Sequence, residues 1–213
     1  MGVKGRCEVS GLTRKEREES LRREIILEAA EKVIGAKGLH GSSMEEIARE
    51  AQLSTGSLYN AFAGKEELYR VLFVRRAERL LERLRARLLT NASPTRALET
   101  VIETLFEHFD VNRNFFAIYL EATSGFSWHI RKTLGEEALA RYQEFIQAVA
   151  EIFQRGIASG EIPKSDPHHL ALAFMGGINA YVTQWVSTDR GISLIDLIPS
   201  AKAVLLRLAQ KRS

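Results

Sequence analysis

The chain of 213 residues has little of what several protein classes require. Its one cysteine, Cys7, cannot form an internal disulfide or a cysteine-based zinc site. A single thiol is typical of a reducing compartment, so we expect a cytoplasmic protein. Four prolines and 15 glycines are too few for a low-complexity chain. The 45% hydrophobic and 27% charged residues therefore indicate an ordinary globular protein.

Strand patterns and targeting segments are also missing from the sequence. No convincing run of alternating apolar and polar residues appears, whereas apolar residues recur at helical spacing, so we expect an all-α fold. The N-terminus has no apolar stretch typical of a secretory signal. The apolar stretch at 170–186 contains Asn179, Thr183 and Gln184, which favours a helix buried on several sides over a membrane span.

Charge and aromatic residues are distributed unevenly along the chain. Residues 1–92 hold 18 Lys+Arg and 14 Asp+Glu, a net charge of +4, whereas residues 93–213 hold 12 and 13, a net charge of −1. Of the 17 aromatic residues, 13 lie after residue 92. This asymmetry indicates an anionic partner for the first part and an apolar core or ligand for the second.

Helix start and stop signals divide the chain into three parts. Residues 1–20 are predicted to form a flexible N-terminal arm, because they are polar and rich in glycine. Helices are predicted from Ser20 to a cap at Gly38, from a capping box at Ser43, from a cap at Ser54, and from Glu66 to about residue 89. The break at residues 91–94 then separates a domain over 21–92 from one over 93–213.

Two short helices joined by a tight turn form a helix-turn-helix pattern at about residues 43–62. In such a pair the second helix enters the DNA major groove and the first helix supports it against the backbone. The pattern leaves small or polar side chains on the outer side of the second helix, where they can bind bases or phosphates. They are Thr55, Gly56, Ser57 and Asn60.

Lys65 lies at the start of the fourth predicted helix, where the helix dipole disfavours a cation. A DNA phosphate bound there would remove that penalty. The alternative is a solvated Lys65 whose charge is offset by Glu66 and Glu67.

The segment from Ser43 to Leu68 resembles the DNA-binding signature of TetR-family transcriptional regulators. The resemblance covers about residues 22–70 and rests on SMEEIAREA, LS, GSLY with Phe62, and KEEL. It implies that Ser42 and Ser43 contact phosphates, that residues 55–57 face bases, and that Tyr59 and Lys65 contact the backbone. For Tyr59, packing is the alternative role. The chain departs from the family pattern at Gln52, where glycine is usual, and at Asn60 and Ala61, where an aromatic residue or histidine is common.

The resemblance implies that residues 93–213 form a helical effector-binding and dimerisation domain. Two helices per subunit could pair across a twofold axis, which would set two recognition helices about 34–36 Å apart on a near-palindromic operator. The alternative is that these apolar stripes only close the core of one subunit. The candidate interface residues are Gly176, Gly177, Leu194, Leu197, Leu205 and Leu208.

Aromatic residues of the second part are candidates for an apolar effector pocket, although an aromatic stripe at helical spacing is more often core. Two polar residues on apolar stretches, Glu121 and Asn179, could orient a ligand or simply be solvated or paired. The aromatic candidates are Phe106, Phe109, Phe116, Tyr119, Phe126, Trp128, Tyr142, Phe145 and Phe174.

These observations predict a ligand-responsive, homodimeric repressor that an apolar small molecule releases from DNA, with the fourth helix as the connecting lever. A regulator without an effector and an activator are the alternatives. A helical enzyme would need a convergent acid, base or nucleophile set, and the sequence shows none. No cofactor is expected. No metal site is expected either, because the adjacent His168 and His169 do not have the one-turn spacing of a chelating pair.

Overall fold

A computed structural model of the protein describes residues 13–38, 40–89, 93–113, 116, 127–188 and 191–210. Within these ranges the chain forms eight α-helices and no β-strand, which confirms the all-α fold. None of these helices is long and apolar enough to cross a membrane. The helices are α1 (Arg14–Lys37), α2 (Met44–Glu50), α3 (Thr55–Ala61), α4 (Lys65–Leu88), α5 (Pro94–Val111), α6 (Ser127–Ala158), α7 (Pro167–Ser187) and α8 (Ile198–Leu205).

The chain divides into two compact units, residues 1–68 and 69–213. The division falls in the first turn of α4, whereas the sequence analysis counts the whole of that helix with the first domain. The predicted and the observed division therefore differ mainly in whether α4 belongs to the first or to the second part of the chain.

Helix α1 begins at Arg14, well before the predicted start at Ser20. Thr13 and Glu16 form a capping box, in which the Glu16 amide donates to the Thr13 hydroxyl and the Thr13 amide donates to the Glu16 carboxylate. Its first turns are exposed and form an ion pair of Arg14 with Glu18. The predicted arm is therefore wrong for residues 14–20, while residues 1–12 lie outside the described part of the chain.

The smaller unit packs α1 against α2, and α2 against α3. The predicted caps at Gly38 and Ser43 are confirmed, and Glu46 completes the Ser43 capping box. The core of this unit consists of Ile26, Ala30, Ile34, Ile47, Ala48, Leu58, Phe62 and Leu68, none of which is more than 2% exposed.

The larger unit packs α5 against α6, α7 and α8, and its most extensive helix pairing is that of α6 with α7. Helix α6 is interrupted at Gly135, whose φ of 88° is a left-handed value that favours glycine. Pro199 lies in the first turn of α8, so it marks the true start of the last helix rather than a kink within it.

The start of α5 is capped by a residue that is distant in sequence. Ser93 occupies the N-cap position of this helix, but its hydroxyl donates to the Glu161 carboxylate at 3.0 Å instead of accepting a helix amide. The same carboxylate oxygen accepts the Thr95 amide at 3.1 Å and the Thr95 hydroxyl at 2.6 Å. Glu161, in the connection between α6 and α7, therefore takes the role that the side chain of an N-cap residue usually has.

The end of α7 is closed by Trp185 and Arg113. The buried Trp185 indole N–H donates to the Ile192 carbonyl at 2.8 Å. The Arg113 guanidinium lies 5.0 Å from the Trp185 ring centre, and it donates to carbonyl groups at the C-terminal end of α7, including that of Val186. A cation at this end of a helix is favoured by the helix dipole.

Candidate functional site

Helix α3 presents a polar face on the side opposite its buried residue. Leu58 is fully buried, whereas Gly56 and Asn60 are exposed. Because successive residues of an α-helix are rotated by about 100°, these two residues lie on the side opposite Leu58. Tyr59 beside them is 52% exposed. The short helix therefore offers a small and polar outer surface, as the helix-turn-helix pattern predicted.

The first turn of α3 is fixed by hydrogen bonds between serines. The Ser57 amide donates to the Ser54 hydroxyl oxygen at 3.1 Å, and the two hydroxyl oxygens lie 2.8 Å apart. Thr55 and Ser57 are half-buried. Ser54 caps the helix as predicted and holds residues 55–57 in a defined geometry.

The backbone conformation of the turn between α2 and α3 explains why the family pattern usually has glycine where this chain has Gln52. Gln52 adopts a φ of 56°, in the left-handed region where a side chain is strained by about 1–2 kcal/mol. A glycine at this position would have no such strain. The turn keeps its geometry despite this departure.

The basic group of Lys65 lies against the start of α2. Its Nζ donates to the Ser42 carbonyl oxygen at 2.9 Å, which gives this lysine a structural role that the sequence did not predict. The Ser42 residue is only 5% exposed, so its burial argues against the expected phosphate contact. Ser43 is half-buried and its hydroxyl accepts the Glu46 amide at 3.1 Å.

Arg23 on α1 is a contributor that the sequence analysis missed. Its guanidinium donates to the Ala61 carbonyl at the end of α3 and lies over the Phe62 ring. Both contacts hold the C-terminal end of α3 in place. No local motif indicates this role, because Ala61 lies 38 residues away from Arg23 in the sequence.

The larger unit contains a cavity of about 90 Å³ with predominantly apolar walls. Of the predicted pocket residues, Phe109, Phe116, Tyr142, Phe145 and Asn179 line it. Phe106 and Phe174 are fully buried and belong to the closed core instead. Tyr119, Glu121, Phe126 and the side chain of Trp128 lie outside the described part of the chain. The remaining lining residues are Phe73, Arg76, Ala77, Leu80, Leu105, His108, Arg141 and Met175.

Two arginines and a histidine interrupt the apolar walls of this cavity. Arg76 is 8% exposed and shares a four-residue spacing with buried Leu72 and Leu80 on α4. The sequence could have revealed Arg76 through this spacing, because residues four apart lie on the same face of a helix and this face is apolar. Burial, together with the charges of Arg76 and Arg83, lowers the pKa of His108 to about 4. His108 is therefore neutral at pH 7.

The predicted interface residues fall into two groups. Leu194 and Leu205 are buried within the subunit, and Gly177 packs against Leu205, so these three match the core alternative. Leu197 is half-buried. Gly176 has no neighbouring atom within 4 Å of an added Cβ, and Leu208 is 36% exposed. Of the six predicted residues, Gly176 and Leu208 are therefore the ones most open to a partner subunit.

Comparison with known sequences adds independent information. Residues 26–72 match the family described as bacterial regulatory proteins, tetR family. The chain is 28% identical over 182 residues to the fatty acid metabolism regulator protein of Bacillus subtilis, which covers 85% of this chain and 92% of that protein. It is 23% identical to the HTH-type transcriptional repressor KstR2 of Rhodococcus jostii, over 77% of this chain and 79% of that protein.

The fold is similar to that of solved regulators. The structure of the transcriptional regulator FadR from Bacillus subtilis in complex with stearoyl-CoA superposes with a TM-score of 0.73 at 27% identity. The match covers 88% of this chain and 99% of that chain. Together with the exposed face of α3, these findings show that residues 26–72 form the helix-turn-helix DNA-binding domain of the tetR family of bacterial regulatory proteins, and that the chain is similar in sequence and fold to bacterial transcriptional regulators.

Proposed function

We propose that the protein is a homodimeric repressor that binds a near-palindromic operator and is released by an apolar small molecule. The outward face of α3 carries the proposal, because Gly56, Tyr59 and Asn60 are exposed on a helix fixed by buried Leu58. Thr55 and Ser57 complete the proposed base-reading set at the N-terminal end of the helix. Ser43 and Lys65 are proposed to contact the phosphate backbone while keeping their internal hydrogen bonds.

The proposed dimer uses the exposed face that α7 and α8 leave uncovered. Leu172 is 42% exposed, Val204 is 53% exposed, and Gly176 between them in sequence is open. Exposed apolar residues beside a small residue suit close packing against the same helices of a second copy. A twofold arrangement would present two copies of α3 to successive major grooves.

The effector is proposed to enter the cavity between α4, α5, α6 and α7. The walls are mostly aromatic and aliphatic. A similar sequence is named for fatty acid metabolism, and a similar solved structure contains stearoyl-CoA. We therefore propose an effector with a fatty acyl chain. A volume of about 90 Å³ is well below the roughly 300–1,000 Å³ of occupied ligand sites. A long chain would thus have to displace wall side chains, which gives the ligand a means of favouring a second conformation.

DNA binding is tested by footprinting and fluorescence anisotropy on the DNA upstream of the protein's own gene. Asn60→Ala should weaken specific binding by roughly tenfold or more, because a base contact is lost. Lys65→Met should weaken binding to all DNA and reduce the salt dependence by about one ion. Gln210→Ala, an exposed amide of the larger unit, is the matched control and should bind normally. Normal operator binding by Asn60→Ala and Lys65→Met would contradict the assigned surface.

Dimerisation is tested by sedimentation of two matched variants. Val204→Glu places a charge on the proposed interface, whereas Val111→Glu places one at an apolar residue of α5 that is 82% exposed. We expect Val204→Glu to be monomeric at micromolar concentration and Val111→Glu to remain dimeric. A dimeric Val204→Glu together with a monomeric Val111→Glu would show that the interface does not lie on α7 and α8.

Release of the protein from DNA is tested by adding stearoyl-CoA to the operator complex. Loss of the protected footprint supports the proposed repressor. A change in neither melting temperature nor operator affinity, for this ligand and for free fatty acids, would favour a regulator without an effector. Lower expression of a reporter gene after removal of the protein would favour an activator.

A further inference from the structure

The α5 end (residues 108–113) lies between the cavity and the connection that leads to α8. Its members His108 and Phe109 line the cavity. Because successive residues of a helix are rotated by about 100°, Asp110 points to another side of α5 than Phe109. On that side lies the connection between α7 and α8 (residues 188–197), of which the structure describes residues 188 and 191–197. The α5 end therefore has one side in the cavity wall and another against this connection.

Asp110 binds the connection through two hydrogen bonds. One oxygen of its carboxylate accepts the Ser193 hydroxyl at 2.8 Å and the Leu194 amide at 2.6 Å. Leu194 is fully buried and begins a short 3-10 helix, Leu194–Leu197, that leads directly into α8. Neither bond is stretched, so a displacement of the α5 end would lengthen or misalign both of them.

The connection depends on these bonds because little of it is buried. Ile192, Ile195 and Asp196 are all exposed. The Arg113 guanidinium adds a weaker contact, since its Nη2 lies 3.3 Å from the Thr188 carbonyl oxygen. A segment with few buried contacts opens locally at low free energy, so the loss of its hydrogen bonds increases that opening.

The α5 end moves as one body because its own hydrogen bonds close it. The Asn112 side-chain amide donates to the His108 carbonyl at 2.6 Å, and the Asn112 backbone amide donates to the Phe109 carbonyl at 3.1 Å. A ligand that displaces the Phe109 ring therefore also displaces the neighbouring Asp110 carboxylate. A cavity of about 90 Å³ cannot take up a long chain without such a displacement.

We propose that the α5 end couples the cavity to the dimer. A ligand in the cavity displaces Phe109, weakens the bonds of Asp110 to the connection, and lowers the affinity of two copies for each other through α8. This coupling rests on the proposed effector and dimer, and it adds a route between them. Because binding free energies are linked, dimer formation should in turn lower the ligand affinity by the same factor.

The first experiment removes the Asp110 bonds and needs no ligand. Asp110→Ala should speed amide hydrogen exchange in residues 191–197 by about tenfold or more, because two charge-assisted hydrogen bonds are lost. Asp110→Asn keeps an acceptor oxygen and should restore most of the protection. Asp196→Ala removes a carboxylate from an exposed position of the same segment and is the matched control. Exchange at buried Phe174 of α7 should stay at the wild-type rate in all three variants, which separates local opening from loss of the fold.

The second experiment fills the cavity in two ways. Stearoyl-CoA is added to the full-length protein, and Ala77→Phe places a ring in the cavity from α4 without any ligand. Either occupant should speed exchange in residues 191–197 and raise the dimer dissociation constant at least about fivefold. Neither occupant should open the connection further in Asp110→Ala. Ala77→Leu adds a smaller side chain and serves if Ala77→Phe folds poorly.

The outcomes separate this coupling from the proposed function. If neither occupant changes exchange in the connection or dimer affinity, the coupling is refuted, and release of the operator by stearoyl-CoA in that case leaves the effector function intact. If Ala77→Phe opens the connection whereas stearoyl-CoA neither binds nor releases the operator, the coupling holds and the proposed effector is wrong. Unchanged exchange in Asp110→Ala would overturn the role of Asp110 and the coupling with it.

Discussion

The guanidinium carbon of Arg23 lies 4.2 Å from the centre of the Phe62 ring, so α1 holds the end of α3 through a cation–π contact. The same guanidinium donates to the Ala61 carbonyl. We expect Arg23→Met to lower the free energy of unfolding of the smaller unit by about 1–2 kcal/mol. Urea unfolding followed by circular dichroism measures this change. Arg22→Met removes the same charge from an exposed position and should leave the stability within about 0.5 kcal/mol of wild type.

Replacement of Gln52 by glycine should stabilise the turn between α2 and α3. The φ of 56° strains any residue with a side chain, and glycine removes this strain. We expect the free energy of unfolding to rise by about 1 kcal/mol, since the greater freedom of glycine in the unfolded chain offsets part of the gain. Gln52→Ala keeps a Cβ and should show no comparable increase. A less stable Gln52→Gly protein would show that the glutamine side chain contributes to the turn.

The adjacent glycines of α7 should respond differently to alanine. A Cβ at position 177 would lie 2.3 Å from Cδ2 of buried Leu205, whereas one at position 176 meets nothing within 4 Å. We expect Gly177→Ala to destabilise the subunit by about 1–3 kcal/mol through overpacking, partly offset by better helix propensity.

Gly176→Ala should leave the subunit stable and weaken the dimer, because the added methyl group lies on the face proposed to meet the partner. Sedimentation at several concentrations separates this effect from the loss of subunit stability in Gly177→Ala. If Gly176→Ala dimerises as tightly as the wild type, the part of α7 around Gly176 does not belong to the dimer interface.

The buried His108 should make the larger unit sensitive to acid. The unfolded chain takes up a proton on this residue below about pH 6.5, whereas the folded chain does so only near pH 4. Stability should therefore fall as the pH is lowered from about 6.5 towards 4, by up to about 3 kcal/mol. His108→Gln should flatten this part of the pH profile of urea unfolding. His40→Gln, at an exposed position, should keep the wild-type profile.

Local signals were enough to predict the helix-turn-helix unit. The Ser43 capping box and the Ser54 cap are encoded within four residues of sequence, and both are present. The start of α1 was missed although Thr13 and Glu16 carry the same signal. Its first turns are exposed and stabilised by charge pairs, so apolar periodicity could not reveal them.

The cavity could not be predicted to the same level, because periodicity shows which face of a helix is apolar but not where facing helices leave a gap. Phe106 and Phe109 lie three residues apart on α5 and both belong to the buried core, yet of the two only Phe109 lines the cavity. The same limit applies to the interface. Leu205 and Leu208 share one apolar stripe, and only the folded subunit distinguishes the core residue from the more exposed one.

The placement of Trp185 has a spectroscopic consequence. Both tryptophans of the chain, Trp128 and Trp185, belong to the unit of residues 69–213, and the unit of residues 1–68 has none. Intrinsic tryptophan emission therefore reports on the larger unit alone, while the DNA-binding unit is optically silent at these wavelengths. Emission and circular dichroism recorded on one sample would thus reveal whether the two halves of the molecule melt together or in separate steps.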